Sequence, residues 1–267
     1  MGNCCSSSEN KISKKIFILS ESLTGHEGKI TSIIELENTQ IVTGSNIGEI
    51  KIWNLQYLSC DKTLKIENQI LCLLEFISNM LLTGGSSNEI NLWDISQSSN
   101  ELIYTFKGHD YWVNNLVKCN EKIFASSSND GTIRIWDYFN LNCINILDNN
   151  KISILSLIKL NNGKLCAGNI DSTIKIWDWK NNICETLYEG HTGFIKCLCQ
   201  LNNGDIVSGS DDNTIKIWNL VKNICVQSLE GHKDFVTGII FHSIGDLISC
   251  SNDKTIKIWK RLKDSFE

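Results

Sequence analysis

Five histidines and twelve cysteines are the side chains of this 267-residue chain best able to act as bases, nucleophiles or metal ligands. Their spacing gives most of them another task. Four histidines follow a glycine, as Gly25-His26, Gly108-His109, Gly190-His191 and Gly231-His232, and each stands 27 residues before a tryptophan. A histidine that recurs at one place in a repeated unit is a structural part of that unit. His242 is left over, beside a turn, where a solvated surface role is the simplest reading. The cysteines are scattered, with no Cys-x-x-Cys pair, and read as small buried hydrophobes of an intracellular chain. Cys197 and Cys199 alternate along one strand and make no metal set by themselves. No nucleophile–base pattern, phosphate-cradling glycine loop or carboxylate cluster stands out. The expectation is a non-enzyme with no cofactor, no metal and no small-molecule substrate.

One covalent chemistry does have a motif. The chain begins Met1-Gly2-Asn3-Cys4-Cys5-Ser6. Gly2 after Met removal, with Ser6 in the required slot, fits the N-myristoylation pattern, and the adjoining Cys4 and Cys5 are candidate palmitoylation sites. A single myristoyl chain holds a membrane only marginally, so the second acyl group would make the anchoring stable. Lys11, Lys14 and Lys15 add a weak attraction to an anionic leaflet. Residues 1–14 are therefore read as a flexible acylation tail, and residues 15–267 as the folded part, at the cytoplasmic face of a membrane. No apolar run approaches the ~20 residues of a membrane-spanning helix. A net charge of −5 and a pI near 5.6 argue against an electrostatic grip on nucleic acid.

The elements that would position these residues come from a second periodicity. Trp53, Trp93, Trp136, Trp177, Trp218 and Trp259 are separated by 40, 43, 41, 41 and 41 residues. A fixed period near 40 means that one small unit is stacked, because it cannot bury its apolar faces alone. In the fifth unit, Phe194–Cys199 follows Gly190-His191, then Asn203-Gly204 signals a hairpin, and Asp205–Ser208 forms a second strand. Asp211-Asp212-Asn213 turns the chain into Thr214–Trp218, which alternates apolar and polar, and Ile224–Leu229 gives a fourth strand. Four short antiparallel strands per unit is the anatomy of a propeller blade. The first strand is apolar on both faces (Ile195 and Leu198 have opposite parity), so it belongs between neighbouring blades.

These features resemble those of the WD-repeat β-propeller family over essentially residues 15–260. The dipeptide stands as Trp93-Asp94, Trp136-Asp137 and Trp177-Asp178, with Trp53-Asn54 and Trp218-Asn219 as variants and Trp259-Lys260 as a departure. The resemblance implies a hydrogen-bonded tetrad in each blade. Repeat three would supply His109, Ser126, Asp130 and Trp136; repeat five His191, Ser208, Asp212 and Trp218; repeat six His232, Ser249, Asp253 and Trp259. Repeat one has His26, Thr43 and Trp53 but Ile47 at the Asp position. Repeat two has Ile66 at the histidine position and Ser87 at the Asp position, and repeat four has Asn150 at the histidine position and Ala167 at the serine position, so both lack the full network. Blades two and four are expected to be softer.

The chain ends eight residues past Trp259, before a fourth strand of the sixth unit would form, whereas Ile16–Leu23 matches that slot from the other end. The expectation is an all-β propeller of six four-stranded blades, closed by the N-terminal strand pairing with the C-terminal blade. An open ring completed by a partner's strand is the alternative. By resemblance to the G-protein β branch, the position three past the histidine lies on the partner-holding face. It is occupied by Lys29, Gln69, Trp112, Ser153, Phe194 and Phe235. Trp112, Phe194 and Phe235, with Tyr111 and Lys29 beside them and Asp211 as a polar rim residue, are the candidate partner-binding set, since aromatic residues suit a binding anchor. The function expected is a membrane-tethered scaffold that recruits proteins or peptides. A soluble substrate-recognition subunit of a ubiquitin ligase and a G-protein β-like subunit are the alternatives.

Overall fold

The computed structural model describes residues 22–96, 101–242 and 245–260. Its 23 strands form six antiparallel sheets in which neighbours in sequence are neighbours in space. Blade one is β1 (Ile30–Glu35), β2 (Ile41–Ser45), β3 (Glu49–Asn54) and β4 (Ser59–Lys65). Blade two is β5 (Ile70–Ile77), β6 (Met80–Gly85), β7 (Ile90–Asp94) and β8 (Glu101–Phe106). Blade three is β9 (Val113–Lys118), β10 (Ile123–Ser128), β11 (Thr132–Asp137) and β12 (Asn142–Asp148). Blade four is β13 (Ile154–Lys159), β14 (Leu165–Asn169), β15 (Ile174–Asp178) and β16 (Ile183–Tyr188). Blade five is β17 (Ile195–Gln200), β18 (Ile206–Ser210), β19 (Ile215–Asn219) and β20 (Ile224–Leu229). Blade six has three strands among the described residues, β21 (Val236–Phe241), β22 (Leu247–Ser251) and β23 (Ile256–Trp259). The molecule is a six-bladed propeller. The expected closing strand falls mostly on residues 16–21, which lie outside the described residues, as do Gly2, Cys4 and Cys5.

The tryptophans occupy equivalent points. Each ends or nearly ends the third strand and pairs with the start of the second: Trp53 with Ile41, Trp93 with Leu81, Trp136 with Phe124, Trp177 with Leu165, Trp218 with Ile206 and Trp259 with Leu247. In blades one to five the register to the fourth strand shifts just before the tryptophan, a bulge that increases local twist. Four cysteines then stand opposite an indole: Cys60, Cys143, Cys184 and Cys225.

Blades pack face to face through their first strands, β1 on β5, β5 on β9, β9 on β13, β13 on β17 and β17 on β21. Each of these five junctions has the same design. A small residue in the second strand leaves a hollow for the branched first residue of the next blade. A Cβ on Gly44 would lie 2.4 Å from Ile70, and one on Gly209 would lie 2.6 Å from Val236. A side chain near the start of the first strand also donates to the carbonyl of that incoming residue. The bonds run from Thr31 to Ile70, Cys72 to Val113 (3.5 Å), Asn114 to Ile154 (2.7 Å), Ser156 to Ile195 (3.3 Å) and Cys197 to Val236 (3.7 Å). Cys72 and Cys197 thus act at blade junctions. Burial pushes the Cys119 and Cys199 thiols up to about 12, so both remain uncharged.

The sixth junction differs. Ile30 and Ile33, in the slots where Ile70 and Leu73 are buried, are 56% and 63% exposed. On the other side Ile256 and Ile258 are 73% and 51% exposed, whereas Ile50 and Ile52 in the same slots of blade one are buried. β21 and β1 make no contact comparable with the other five junctions.

Three lysines that stand two places before a tryptophan reach polar side chains. Lys51 donates to Thr63 and Lys216 to Ser228, both in the fourth strand, Lys175 donates to Asn149, and Asn91 takes the same place by accepting from Thr105. Trp179, an aromatic outside the repeat pattern, donates its indole N–H to Gly163 O at 2.9 Å and packs beside the junction of blades three and four.

Candidate partner-binding face

The loop from each fourth strand to the next first strand runs across one end of the propeller, and two sets of bonds hold it there. The first is local. The backbone N–H just after the second strand donates to the carbonyl of the residue three past the histidine position. The pairs are Asn46–Lys29, Ser86–Gln69, Asn129–Trp112, Ile170–Ser153, Asp211–Phe194 and Asn252–Phe235, at 2.9–3.1 Å. One bond repeated in six blades places these six residues at equivalent points of one rim. Trp112, Phe194 and Phe235 are 45%, 41% and 43% exposed, and Tyr111 is 62% exposed. Lys29 is exposed at the equivalent point of blade one. Ile47 and Ile170, at the adjoining turns, add two exposed aliphatic side chains that were not among the candidate partner-binding residues.

The second set is the tetrad. In blade three the Trp136 indole donates to Ser126 Oγ (2.8 Å), and Ser126 Oγ lies 2.7 Å from His109 Nε2. His109 Nδ1 lies 2.7 Å from Asp130. The network satisfies every group when the imidazole is neutral: serine O–H donates to Nε2 and Nδ1–H donates to the carboxylate. Asp130 also accepts from the Asp110 N–H and from Thr132, tying the rim loop to the turn. Blade five repeats this with His191, Ser208, Asp212 and Trp218, and blade six with His232, Ser249, Asp253 and Trp259, all at 2.7–2.9 Å. Gly190 lies at φ +150°, and a Cβ there would stand 3.2 Å from the Trp218 ring, which explains the glycine before the histidine.

Blade one, with Ile47 at the Asp position, completes its network by another residue. Glu49, two residues further on in β3, supplies the carboxylate. It accepts from His26 Nδ1 at 3.1 Å and from the Glu27 N–H at 2.9 Å, while Thr43 bonds both His26 (2.6 Å) and Trp53 (2.7 Å). The Glu27 N–H, then His26, hold the Glu49 carboxyl below the usual range against its burial. The signal was the position of Thr132, Thr214 and Thr255, which also faces the histidine; Glu49 fills it in blade one.

Blades two and four lack the tetrad. In blade two only the Trp93–Thr83 bond (3.0 Å) remains. In blade four the exposed Asn150 makes no part of a network, and its neighbour Asn149 does so instead. Asn149 is fully buried, bonds Asn169 at 2.9 Å and accepts from Lys175. Ala167 offers no acceptor, and the buried Trp177 indole N–H has none among the described residues.

Asp211 is less open than the rim position suggested. Its carboxylate lies 3.5 Å from the Lys196 ammonium, which in turn sits 5.4 Å from the centre of the Phe194 ring. Burial raises its proton affinity, opposed by Lys196, and its second oxygen is buried without a partner among the described residues. His242 stands in the hairpin before β22, its N–H donating to Asp246 O.

Four segments of the chain match the family model for the WD domain, G-beta repeat: residues 100–137, 141–178, 182–219 and 223–260. Together they make up more than half of the chain. Each begins at or just before the outer strand of one blade and ends in or just after the third strand of the next, so the sequence repeat is staggered against the structural one. No curated protein matches the chain.

Two predictions follow from these networks. Ala167→Ser gives the Trp177 indole an acceptor and stabilises the protein by about 1 kcal/mol, the usual net value of a buried hydrogen bond, read as a higher urea midpoint. The second concerns pH. Burial, outweighing the Asp130 and Asp212 carboxylates, holds His109 and His191 below the usual imidazole range. Asp130 and Asp212 are held below the carboxylate range because hydrogen bonds from histidine, threonine and the rim N–H outweigh their burial. The unfolded chain therefore takes up protons first in both steps. Stability is full above about pH 7, falls as pH drops below about 6.5 while His109 and His191 stay neutral in the fold, and falls again below about pH 4 toward the folded carboxylate values. Urea midpoints measured from pH 8 to pH 3 read this, and stability rising on acidification contradicts it.

Proposed function

Because this chain belongs to the WD-repeat family, whose propellers are protein-interaction scaffolds, we propose that it is a non-catalytic adaptor that binds protein or peptide partners on the aromatic rim while its acylated N-terminus holds it at the cytoplasmic face of a membrane. The observation that carries the binding half is the set Trp112, Phe194 and Phe235. These large rings stand half-exposed at equivalent positions, on loops that the tetrads fix beneath them. Such rings bring apolar area with few rotors to freeze, and a rigid platform lowers the ordering cost of association. Tyr111, Ile47 and Lys29 extend the surface, so a partner meets an apolar patch with a polar margin. The tethering half rests on the order Gly2, Cys4, Cys5, Ser6.

Trp112→Ala is expected to abolish capture of partners that the wild-type protein retains, with a melting temperature changed by less than about 2 °C, as for a surface substitution. A melting temperature that falls by many degrees makes Trp112 a packing residue instead. Gly2→Ala is expected to lose incorporation of labelled myristate and to move from the membrane to the soluble fraction. A Gly2→Ala protein that stays with the membrane removes the tether from the reading.

A further inference from the structure

The seam between blades six and one carries the two halves of an interface that the molecule builds five times elsewhere. On one wall, Ile30 and Ile33 occupy the slots that are buried in every other blade, by Ile70 and Leu73, Val113 and Leu116, Ile154 and Leu157, Ile195 and Leu198, and Val236 and Ile239. On the other wall stand Ile240, Ile256 and Ile258, all more than half exposed. Large aliphatic side chains set at the positions of a packed junction are placed for burial. At all five complete junctions the thing that buries them is a neighbouring β-sheet blade.

We propose that this seam is a slot for a seventh blade supplied by a partner protein: a segment of short antiparallel strands with apolar side chains on both faces. Three observations select this occupant. First, it must cover two opposed apolar walls, and only an element apolar on both faces does so, as the chain's own first strands are. Second, each of the five complete junctions is filled by a whole sheet and not by a single strand, so a blade is the element that fits these slots. Third, blade six is not shaped to receive Ile30 as the other blades receive their neighbours. Glycine stands in the second strand of four blades, paired with Ser32, Cys72, Ser156 and Cys197, and makes the hollow for the incoming branched residue. In blade six the order is reversed: Cys250 fills that place and Gly238 stands opposite it. The hollow has moved from the second strand to the first. Thr237, in the slot of Thr31, points its hydroxyl to Cys250 Sγ (3.6 Å) and not across to a neighbouring carbonyl. The proposal is independent of the aromatic rim.

The test uses the full chain with the reporter Ile33→Cys, labelled by a maleimide and read at residue 33 by peptide mass spectrometry, with the oligomeric state followed by sedimentation. A second chain carries the same reporter and a duplicate of residues 219–259 placed after Trp259, which adds one blade in phase. The expected result is that the first chain is a monomer labelled about as fast as the exposed Cys60, and that the second is a monomer labelled at least tenfold more slowly. Equal labelling of the two chains overturns the proposal. Protection of the unextended monomer also overturns it, since the ring is then closed on itself, and so does protection confined to a dimer, which makes a second copy the occupant. Because the duplication could misfold, the double variant Ile33→Cys/Ile256→Cys gives an independent reading. Two sheets on either side of a guest stand about 20 Å apart, twice the sheet spacing. A bis-maleimide of that span bridges the two thiols if the slot has blade width. Formation of an intramolecular disulfide on mild oxidation, which needs direct contact of the walls, refutes it.

Discussion

A four-stranded sheet of about 30 residues has two apolar faces and no means of covering both. Everything else in this propeller follows from that constraint. Blades two to six bury their first-strand isoleucine, valine or leucine against the preceding blade, and blades one to five bury their second and third strands against the following one, so no blade is stable by itself. The fit is close: glycine in the second strand lets a branched side chain approach within contact distance, and a nearby hydroxyl, amide or thiol donates to its carbonyl. Apolar burial supplies the drive, and the directional bond sets the angle between neighbours. These contacts recur with small chemical changes, which shows that the geometry, not the particular donor, is what the junction requires.

The tetrads connect this packed interior to the surface. An indole buried against the sheet must place its N–H on an acceptor, and the serine or threonine that accepts it passes the chain of bonds through a neutral imidazole to a carboxylate at the loop. The carboxylate then holds the backbone of the residue that follows the histidine, two residues from the rim position. In blade three the rim loop is thus tied to the core indole through four hydrogen bonds. Blades two and four, where the relay is missing or rebuilt from asparagines, carry Gln69 and Ser153 at the rim in place of aromatic residues.

Much of this was legible in the residues, because a repeated unit states its pattern six times. The tryptophan period located every third strand, and the glycine–histidine pairs located the relays of blades three, five and six atom for atom. Glu49 was missed because the carboxylate was sought in the turn, whereas one extra methylene lets it reach the same imidazole from the strand. Asn149 was missed by one place for a similar reason, since the loop of blade four turns through positive φ at Asn150 and Lys151. The junction donors were hidden because hydroxyl, amide and thiol look unrelated until their positions in the first strand are aligned. Exposure at the seam could not be read at all: Ile30 is the same kind of residue as Ile70, and only the arrangement of blades in space separates them.

Glu49 has a further meaning for blade one. In the other relay blades the turn between the second and third strands must keep an aspartate, and so its sequence is held to an internal duty. With the acid relocated onto β3, that turn is released from service to the core, and Ile47 stands on the surface where a charged residue would otherwise be spent inward. A single displaced carboxylate thereby turns one constrained corner of the scaffold into a site open to variation, where recognition can diversify without loosening the sheet below.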